Sequence, residues 1–321
     1  MGKPLAESPR RPRDSARFVF RPSPPYSLAR TAARFTRWPE AVDRFDGRTY
    51  RRLLPLGRSG LLVEVSQVGS ARQPALSVRL RGAQAATPAA RRAAERVVRI
   101  GLGAGLDARP FLHAFRDDAL LGPLLARFRG LRIAGAPSLW EAIVTAVLSQ
   151  QVSLIFAYNV RRELALAFGA RRRLGGELFV AFPTPDAIAR QTLRGLRRFR
   201  LSGAKAAALR RLGEEFASGE LSEEAIERLP DEEAIEKLVE LKGVGRWTAE
   251  IALLRGQGRA DVFPGGDLGV VKYLAVGLLG HSARVTEREM REFAERWRPY
   301  RGLALMYAYA EINRRAAKKN T

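Results

Sequence analysis

The chain has 321 residues, with 56 Lys plus Arg against 33 Asp plus Glu, a formal charge of +23, two histidines and no cysteine. That composition excludes a disulfide framework, a thiol nucleophile, a Cys-ligated zinc, an iron–sulfur cluster and a multi-histidine metal centre, so no metal site is expected. The positive balance points to a polyanion, nucleic acid first, although Arg supplies 49 of the 56 basic residues and base composition alone produces such a skew.

Residues 1–16 are rich in Pro, Arg and Ser and read as a disordered basic tail. The segment MGKPLAESPRRPRDSARF has no apolar core, and no run of about 18 apolar residues follows. A soluble, cytoplasmic protein without a membrane partner is therefore expected. From Phe18 to about Gly82 the runs RFVF, RTYRRLLPL, GLLVEVSQV and ALSVRLRG alternate partly with period two between Gly, Pro and Ser, which predicts a sheet. YSLARTAARF is a helix between its first strands. PAARRAAERVVRIGL, with a Pro start and a Gly stop, is a helix lying on that sheet.

GLGAG at 101–105 lacks the spacing and the preceding strand of a dinucleotide-binding turn and reads as a helix stop with a loop. After about residue 105 the texture is helical throughout. Ser138 followed by Glu141 has the spacing of a capping box at the start of SLWEAIVTAVLSQQVS. Further helices are expected over 154–168, 184–192, 203–218, 231–241, 246–256, 268–279, 285–296 and 301–317. Residues 214–240 hold eleven acidic and two basic side chains, so the rest of the chain carries +32.

In residues 231–256, DEEAIEKLVELKGVGRWTAEIALLRG, two helices are joined by Lys242-Gly243-Val244-Gly245-Arg246. Two glycines around one apolar residue permit positive φ and close backbone approach, while Val244 plugs between the helices. The turn also aims backbone N–H groups and a helix dipole at an anion such as a nucleic-acid phosphate. The alternative is a compact helical hairpin and nothing more. Downstream, Asp267 follows Pro264-Gly265-Gly266 and precedes an apolar helix. It is either an N-cap or a rigidly held carboxylate facing a cleft, and the two roles are compatible.

LKGVGRWTAEIALLRG followed by DVFPGGDLGVVKYL resembles the helix-hairpin-helix, Gly/Pro…Asp signature of the HhH-GPD DNA glycosylase superfamily, closest to the bacterial 3-methyladenine DNA glycosylase II type. SLWEAIVTAVLSQQVSLIFAYNV, FPTPDAIA, SGAKAAAL and MREFAERWRPYRGLALMYAYAEI extend the likeness over about 138–317. The resemblance implies an α+β fold: a mixed α/β domain over 17–128, then a helical catalytic region over 129–321 with two subdomains and a cleft between them. It implies a catalytic role for Asp267 and a DNA-backbone grip by Lys242, Gly243, Val244 and Gly245. It further implies a base pocket of Trp247 and Tyr309, with Tyr309 at a tryptophan position, and a wedge at Gln151. No cofactor is implied beyond a monovalent cation held by the carbonyls of Val239, Leu241 and Val244. The partner is double-stranded DNA with damaged bases, bound by a nucleoid-associated monomer. Three departures bear on substrate range: Gln151 replaces leucine, Leu268 replaces an aromatic, and Phe35 is only near the N-terminal pocket position.

Scission of the bond between a damaged base and deoxyribose builds oxocarbenium character at the sugar. A carboxylate beside that carbon stabilises it and orients or deprotonates water, worth roughly 10²- to 10⁴-fold. Neutral leaving groups normally need an acid as well, as in sugar hydrolysis. An N3- or N7-alkylated purine is already cationic and leaves without one, so a single carboxylate suits alkylated purines, and Trp247 and Tyr309 would attract the cation. The plain alternative for both rings is core packing. Where bifunctional relatives place a Schiff-base lysine, this chain has Trp247, so a monofunctional enzyme leaving an abasic site is expected, with Lys242 and Lys272 as the neighbouring amines. A non-catalytic DNA-binding protein, and a glycosylase for oxidised or deaminated bases, are the alternatives.

Overall fold

The computed structural model describes residues 15–57, 60–267, 269–270, 280 and 285–319. Residues 1–14 of the expected tail, most of the expected 268–279 helix, and Leu268, Lys272 and His281 lie outside the described residues.

Five strands form an antiparallel sheet: β1 (Ser15–Phe20), β2 (Asp43–Phe45), β3 (Thr49–Leu54), β4 (Leu61–Gln67) and β5 (Leu76–Arg81), in the order β1-β5-β4-β3-β2. Ser15 and Ala16 belong to β1, opposite Arg81 and Leu80, so the expected tail is two residues too long: backbone pairing to β5 orders them despite their polar surroundings. The short β2 is additional to the expected strands. α1 (Leu28–Ala32) lies between β1 and β2, and α2 (Pro88–Arg96), with Thr87 capping Ala90 N–H, runs into a wide turn at Val97–Gly101.

Alternation along β4 divides its side chains between two layers. Leu61, Val63 and Val65 pack with Ala90, Ala94 and Val97, whereas Leu62 packs with Leu53, Phe179 and Ala181. Phe179 and Ala181 belong to β6 (Arg171–Leu174) and β7 (Glu177–Val180) and the residue after β7, a hairpin inside the region expected to be all-helical. Gly175 and Gly176, at φ +59° and +83°, make its two-residue turn, and the apolar face of the sheet supplies what the isolated sequence did not reveal.

α3 (Arg109–Ala114) and α4 (Leu121–Arg127) precede the main helical region, which runs through α5 (Leu139–Ser149), α6 (Leu154–Phe168), α7 (Pro185–Ala189), α8 (Leu193–Arg197), α9 (Gly203–Ser218), α10 (Glu223–Arg228), α11 (Asp231–Val239), α12 (Arg246–Gly256), α13 (Glu287–Ala294) and α14 (Arg301–Lys319). α3, α4, α8 and α10 are additional to the helices expected by range. Helices α5 to α12 surround one core, and α3, α4, α13 and α14 contribute to a second. α12 is the seam: Ala249, Ala252 and Leu253 face the first core and Leu254 the second.

A buried charge cluster docks the sheet onto α5 and α6. Arg52 of β3 pairs with Asp43 at 2.7 Å and with Glu141; Arg161 of α6 pairs with Glu40 and with Glu141 at 2.6 Å, and all of these side chains are at most 6% exposed. Ser138 caps Glu141 N–H as expected, but the Glu141 carboxylate does not complete the capping box, because two guanidiniums hold it instead.

Candidate active site

The hairpin between α11 and α12 has the expected shape, with a correction in its glycines. Val244 is buried and its N–H donates to Leu241 O at 3.0 Å. Gly243 has φ +97°, and an added Cβ would lie 2.7 Å from Ala208 Cβ of α9. Gly245 does not take positive φ: it is extended at φ −90°, ψ 171°, as the N-cap of α12, and nothing lies within 4 Å of the position of its missing Cβ. Gly243 therefore shapes the turn, while Gly245 leaves the helix mouth open. No side chain caps that mouth, which leaves the first-turn N–H groups facing outward. Lys242 is exposed beside it. Glu232 of the acidic segment reaches this mouth, accepting from Arg246 through two bonds of 2.6 and 2.9 Å.

Asp267 is where α12, α14 and the Pro264 turn meet. Its N–H donates to Pro264 O at 3.0 Å, closing the turn. Its Oδ1 accepts from Gly269 N–H at 2.7 Å and from the Tyr309 hydroxyl at 2.8 Å, and its Oδ2 from Trp247 Nε1 at 2.9 Å. One side chain thus accepts from a backbone N–H two residues on, as a cap does, and from two aromatic side chains of other helices. Burial, then the Asp267 carboxylate, pushes the Tyr309 hydroxyl well above its ordinary pKa, so it stays a donor. A Cβ at Gly269 would fall 2.7 Å from Asp267 Oδ1 and 3.2 Å from the Tyr309 ring, so only glycine fits there.

The first turn of α12 also ties this carboxylate to the loop after α5. Trp247 holds Asp267, and the adjacent Thr248 Oγ1 accepts from Gln150 Nε2 at 2.9 Å; the same amide donates to Gly243 O at 3.0 Å. Lys205 of α9 donates to Gln150 O at 2.7 Å and Leu148 O at 3.1 Å. These bonds hold Gln151 at the exposed tip between α5 and α6 with φ +55°, a left-handed conformation that a non-glycine residue keeps only under constraint. Gln150 and Lys205 carry no mark of this role in the sequence beyond their place beside Gln151 and in α9.

Phe35 does not join the site; it packs on Tyr50, ring centroids 5.3 Å apart, in the sheet's core. The guanidinium of its neighbour Arg34 lies over the Phe35 ring, 5.5 Å from the centroid, and donates to Ala134 O at 2.6 Å and to the Tyr158 hydroxyl at 2.8 Å. Tyr158 of α6 stacks on Trp38, centroids 6.1 Å apart and 23° between planes. Arg255 of α12 donates to the same Ala134 O at 2.7 Å, and burial followed by Arg34 holds it below the ordinary arginine range. The only sequence signal for Arg255 is a charge among the buried Leu253, Leu254 and Gly256.

Residues 144–299 match the HhH-GPD superfamily base excision DNA repair protein family. The chain is 30% identical over 203 residues to a DNA-3-methyladenine glycosylase of Bacillus subtilis, covering 63% of this chain and 67% of that one. The chain belongs to the HhH-GPD superfamily. It is a DNA glycosylase of that superfamily, an N-glycosyl hydrolase. DNA-3-methyladenine glycosylase 2 of Escherichia coli is 32% identical over 194 residues, 60% of this chain and just under two thirds, 64%, of that one. Among solved structures, a 3-methyladenine DNA-glycosylase from Archaeoglobus fulgidus superposes with TM-score 0.80 at 25% identity, covering 92% of this chain and 98% of that one. No helix among the described residues is long and apolar enough to cross a membrane.

Proposed function

We propose that this HhH-GPD protein is a monofunctional base excision repair glycosylase of the 3-methyladenine type, which extrudes alkylated purines from duplex DNA and hydrolyses the N-glycosidic bond. The observation that carries the proposal is Asp267, fixed by Trp247, Tyr309 and Gly269 beside the mouth of the α12 hairpin. The hairpin N–H groups hold a phosphate, which positions without reading sequence. Gln151 fills the space left in the stack, and extrusion costs a few kcal/mol, least for a damaged pair. The Asp267 carboxylate then lies against the sugar as it becomes cationic, and orients the water that adds to it.

Trp247 occupies the first turn of α12 where a lyase needs an amine, and Lys205 Nζ is engaged by two carbonyls of the wedge loop. Strand cleavage through a Schiff base is therefore not expected. The hairpin carbonyls of Val239, Leu241 and Val244 are oxygen donors of the kind a monovalent cation takes, and such an ion would lock the turn against the phosphate. Methylated duplex DNA incubated with the protein should yield free 7-methylguanine and 3-methyladenine and leave intact abasic strands. A protein–DNA adduct trapped by borohydride would overturn the monofunctional assignment. Duplex binding without base release would leave a non-catalytic DNA-binding protein.

A further inference from the structure

The stretch Arg197-Arg198-Phe199-Arg200, at the end of α8, takes no part in the mechanism above. The flanking helices match their arginines with carboxylates: Arg190 with Asp186 at 3.3 Å around α7, Arg210 with Glu214 at 2.9 Å and Arg211 with Glu215 at 3.0 Å in α9. Arg197 and Arg198 are exposed and have no charged partner among the described residues. Arg200 pairs with Glu163 of α6, and both side chains stay open to solvent, at 51% and 40%. Arg200 also shares a backbone property with Gln151. Among the described residues, only these two are non-glycine residues at positive φ, +61° and +55°. Such conformations persist where the surrounding structure imposes them, and they cluster at functional sites. The same loop joins the two: the Arg200 guanidinium lies 5.4 Å from the ring centroid of Phe156, in the first turn of α6. Phe199 packs on Phe168 with centroids 5.4 Å apart, which fixes the end of α8 along α6. Gln150, on the other side of Gln151 in the chain, donates to Gly243 O of the hairpin at 3.0 Å. The loop therefore touches the hairpin at Gln150 and the end of α8 at Phe156, with Gln151 between them.

We propose that Arg197, Arg198 and Arg200 form a second phosphate-binding surface, which takes the backbone of the strand complementary to the damaged one. This rests on the reading of Gln151 as the residue that enters the duplex. A side chain that reaches into the stack passes between two backbones, one on each rim of the groove. With the damaged strand at the hairpin, the surface beyond Gln151 meets the other rim, and three guanidiniums there match its negative charge. The two unpaired arginines are ready to bind. Arg200 needs only to exchange partners, and an exposed ion pair is weak enough for a phosphate to replace Glu163 at little cost. The planar fork of each guanidinium fits two oxygens of one phosphate. Contacts of this kind position the duplex without reading its sequence, and they hold the complementary backbone away from the hairpin while Gln151 occupies the gap.

The test is fluorescence anisotropy of the full chain on abasic-site duplexes across a range of salt concentrations. Neutral methylphosphonate linkages are placed in the complementary strand opposite the lesion, in the damaged strand beside it, or in neither. Arg197→Gln combined with Arg198→Gln should weaken binding to the unmodified duplex roughly 5- to 30-fold near physiological salt, and lower the slope of log K against log salt by about 2. Arg200→Gly, which suits φ +61° and removes the guanidinium, should lower the slope by about 1. Wild type should lose affinity when the complementary strand is neutralised, and the double variant should lose no more. Gly245→Ala should stay as sensitive as wild type to the complementary strand and become less sensitive to the damaged one. Variants with the wild-type salt slope, or a double variant that responds to the complementary strand as wild type does, would overturn the proposal. So would an equal loss of response to both strands, which marks a disturbed fold. Wild type that responds to the damaged strand alone overturns this inference and leaves the glycosylase reading standing. Wild type that neither binds duplex nor releases 7-methylguanine overturns the reading beneath it.

Discussion

Replacing Asp267 by Asn isolates the chemical step, because the change keeps the size of the side chain and most of its bonds. Oδ1 receives two donors, Gly269 N–H and Tyr309 O–H, and Oδ2 receives one, Trp247 Nε1. An amide oxygen keeps the two-donor position, which turns the new NH2 toward the Trp247 N–H, and one donor–donor contact replaces one hydrogen bond. The local cost is about 1–3 kcal/mol, enough to lower the melting temperature by a few degrees without unfolding the chain. The chemistry loses more. Without the carboxylate charge beside the developing oxocarbenium ion, base release should fall roughly 10²- to 10⁴-fold, or about 3–5 kcal/mol of transition-state stabilisation. Affinity for duplex should stay the same or rise, since a negative charge leaves the face proposed to meet the phosphates. Single-turnover release of 7-methylguanine and fluorescence anisotropy on an abasic-site duplex measure the two separately. Release within tenfold of wild type, or a loss of release matched by an equal loss of binding, would refute the catalytic assignment of Asp267.

The two hairpin glycines should fail in different ways. Gly243→Ala forces a side chain onto φ +97° and into Ala208, and should destabilise the fold by about 1–3 kcal/mol in a denaturant titration. Gly245→Ala has no neighbour within 4 Å and should leave stability nearly unchanged while weakening binding to all duplexes alike; a sequence-selective loss would contradict a phosphate role. Arg314 first, with Arg315 and Arg127, holds Glu311, two residues beyond Tyr309 in α14, down at about 2. A depressed carboxylate contributes stability above its unfolded pKa and loses it as pH falls from about 4.5 toward about 2. The three arginines are a third to a half exposed, so the effect is about 1–2 kcal/mol. Thermal melts from pH 5 to 2 should show a shallower acid limb for Glu311→Gln, and parallel limbs would exclude this origin.

Local signals of high specificity make the hairpin and Asp267 legible in the amino-acid sequence itself. A G-x-G between two amphipathic runs, then Pro-Gly-Gly-Asp before an apolar run, encode their turns through short-range backbone preferences, and these do not depend on what the rest of the chain does. The signature also links Trp247 and Tyr309 to one site. Their attachment to the same carboxylate emerges only in three dimensions, because α14 reaches Asp267 across 42 residues of sequence. Gly245 shows the limit of local reasoning: both glycines suit positive φ, but only Gly243, pressed against α9, adopts it.

The charge pattern is the least legible feature. Arg52, Asp43, Glu40, Glu141 and Arg161 look like surface residues one at a time, and Glu141 like half of a capping box. Burial without pairing would be prohibitive, so their positions follow from one another and from the docking of the sheet onto α5 and α6. The same holds for Arg34 and Arg255, 221 residues apart and joined through one carbonyl oxygen. What the sequence determined by itself was the backbone vocabulary of the site, two turns and a carboxylate, because those depend on neighbours in the chain. The tertiary structure decided which side chains surround that carboxylate and with what charge, because a pocket is an agreement among residues that meet only after the cores have formed.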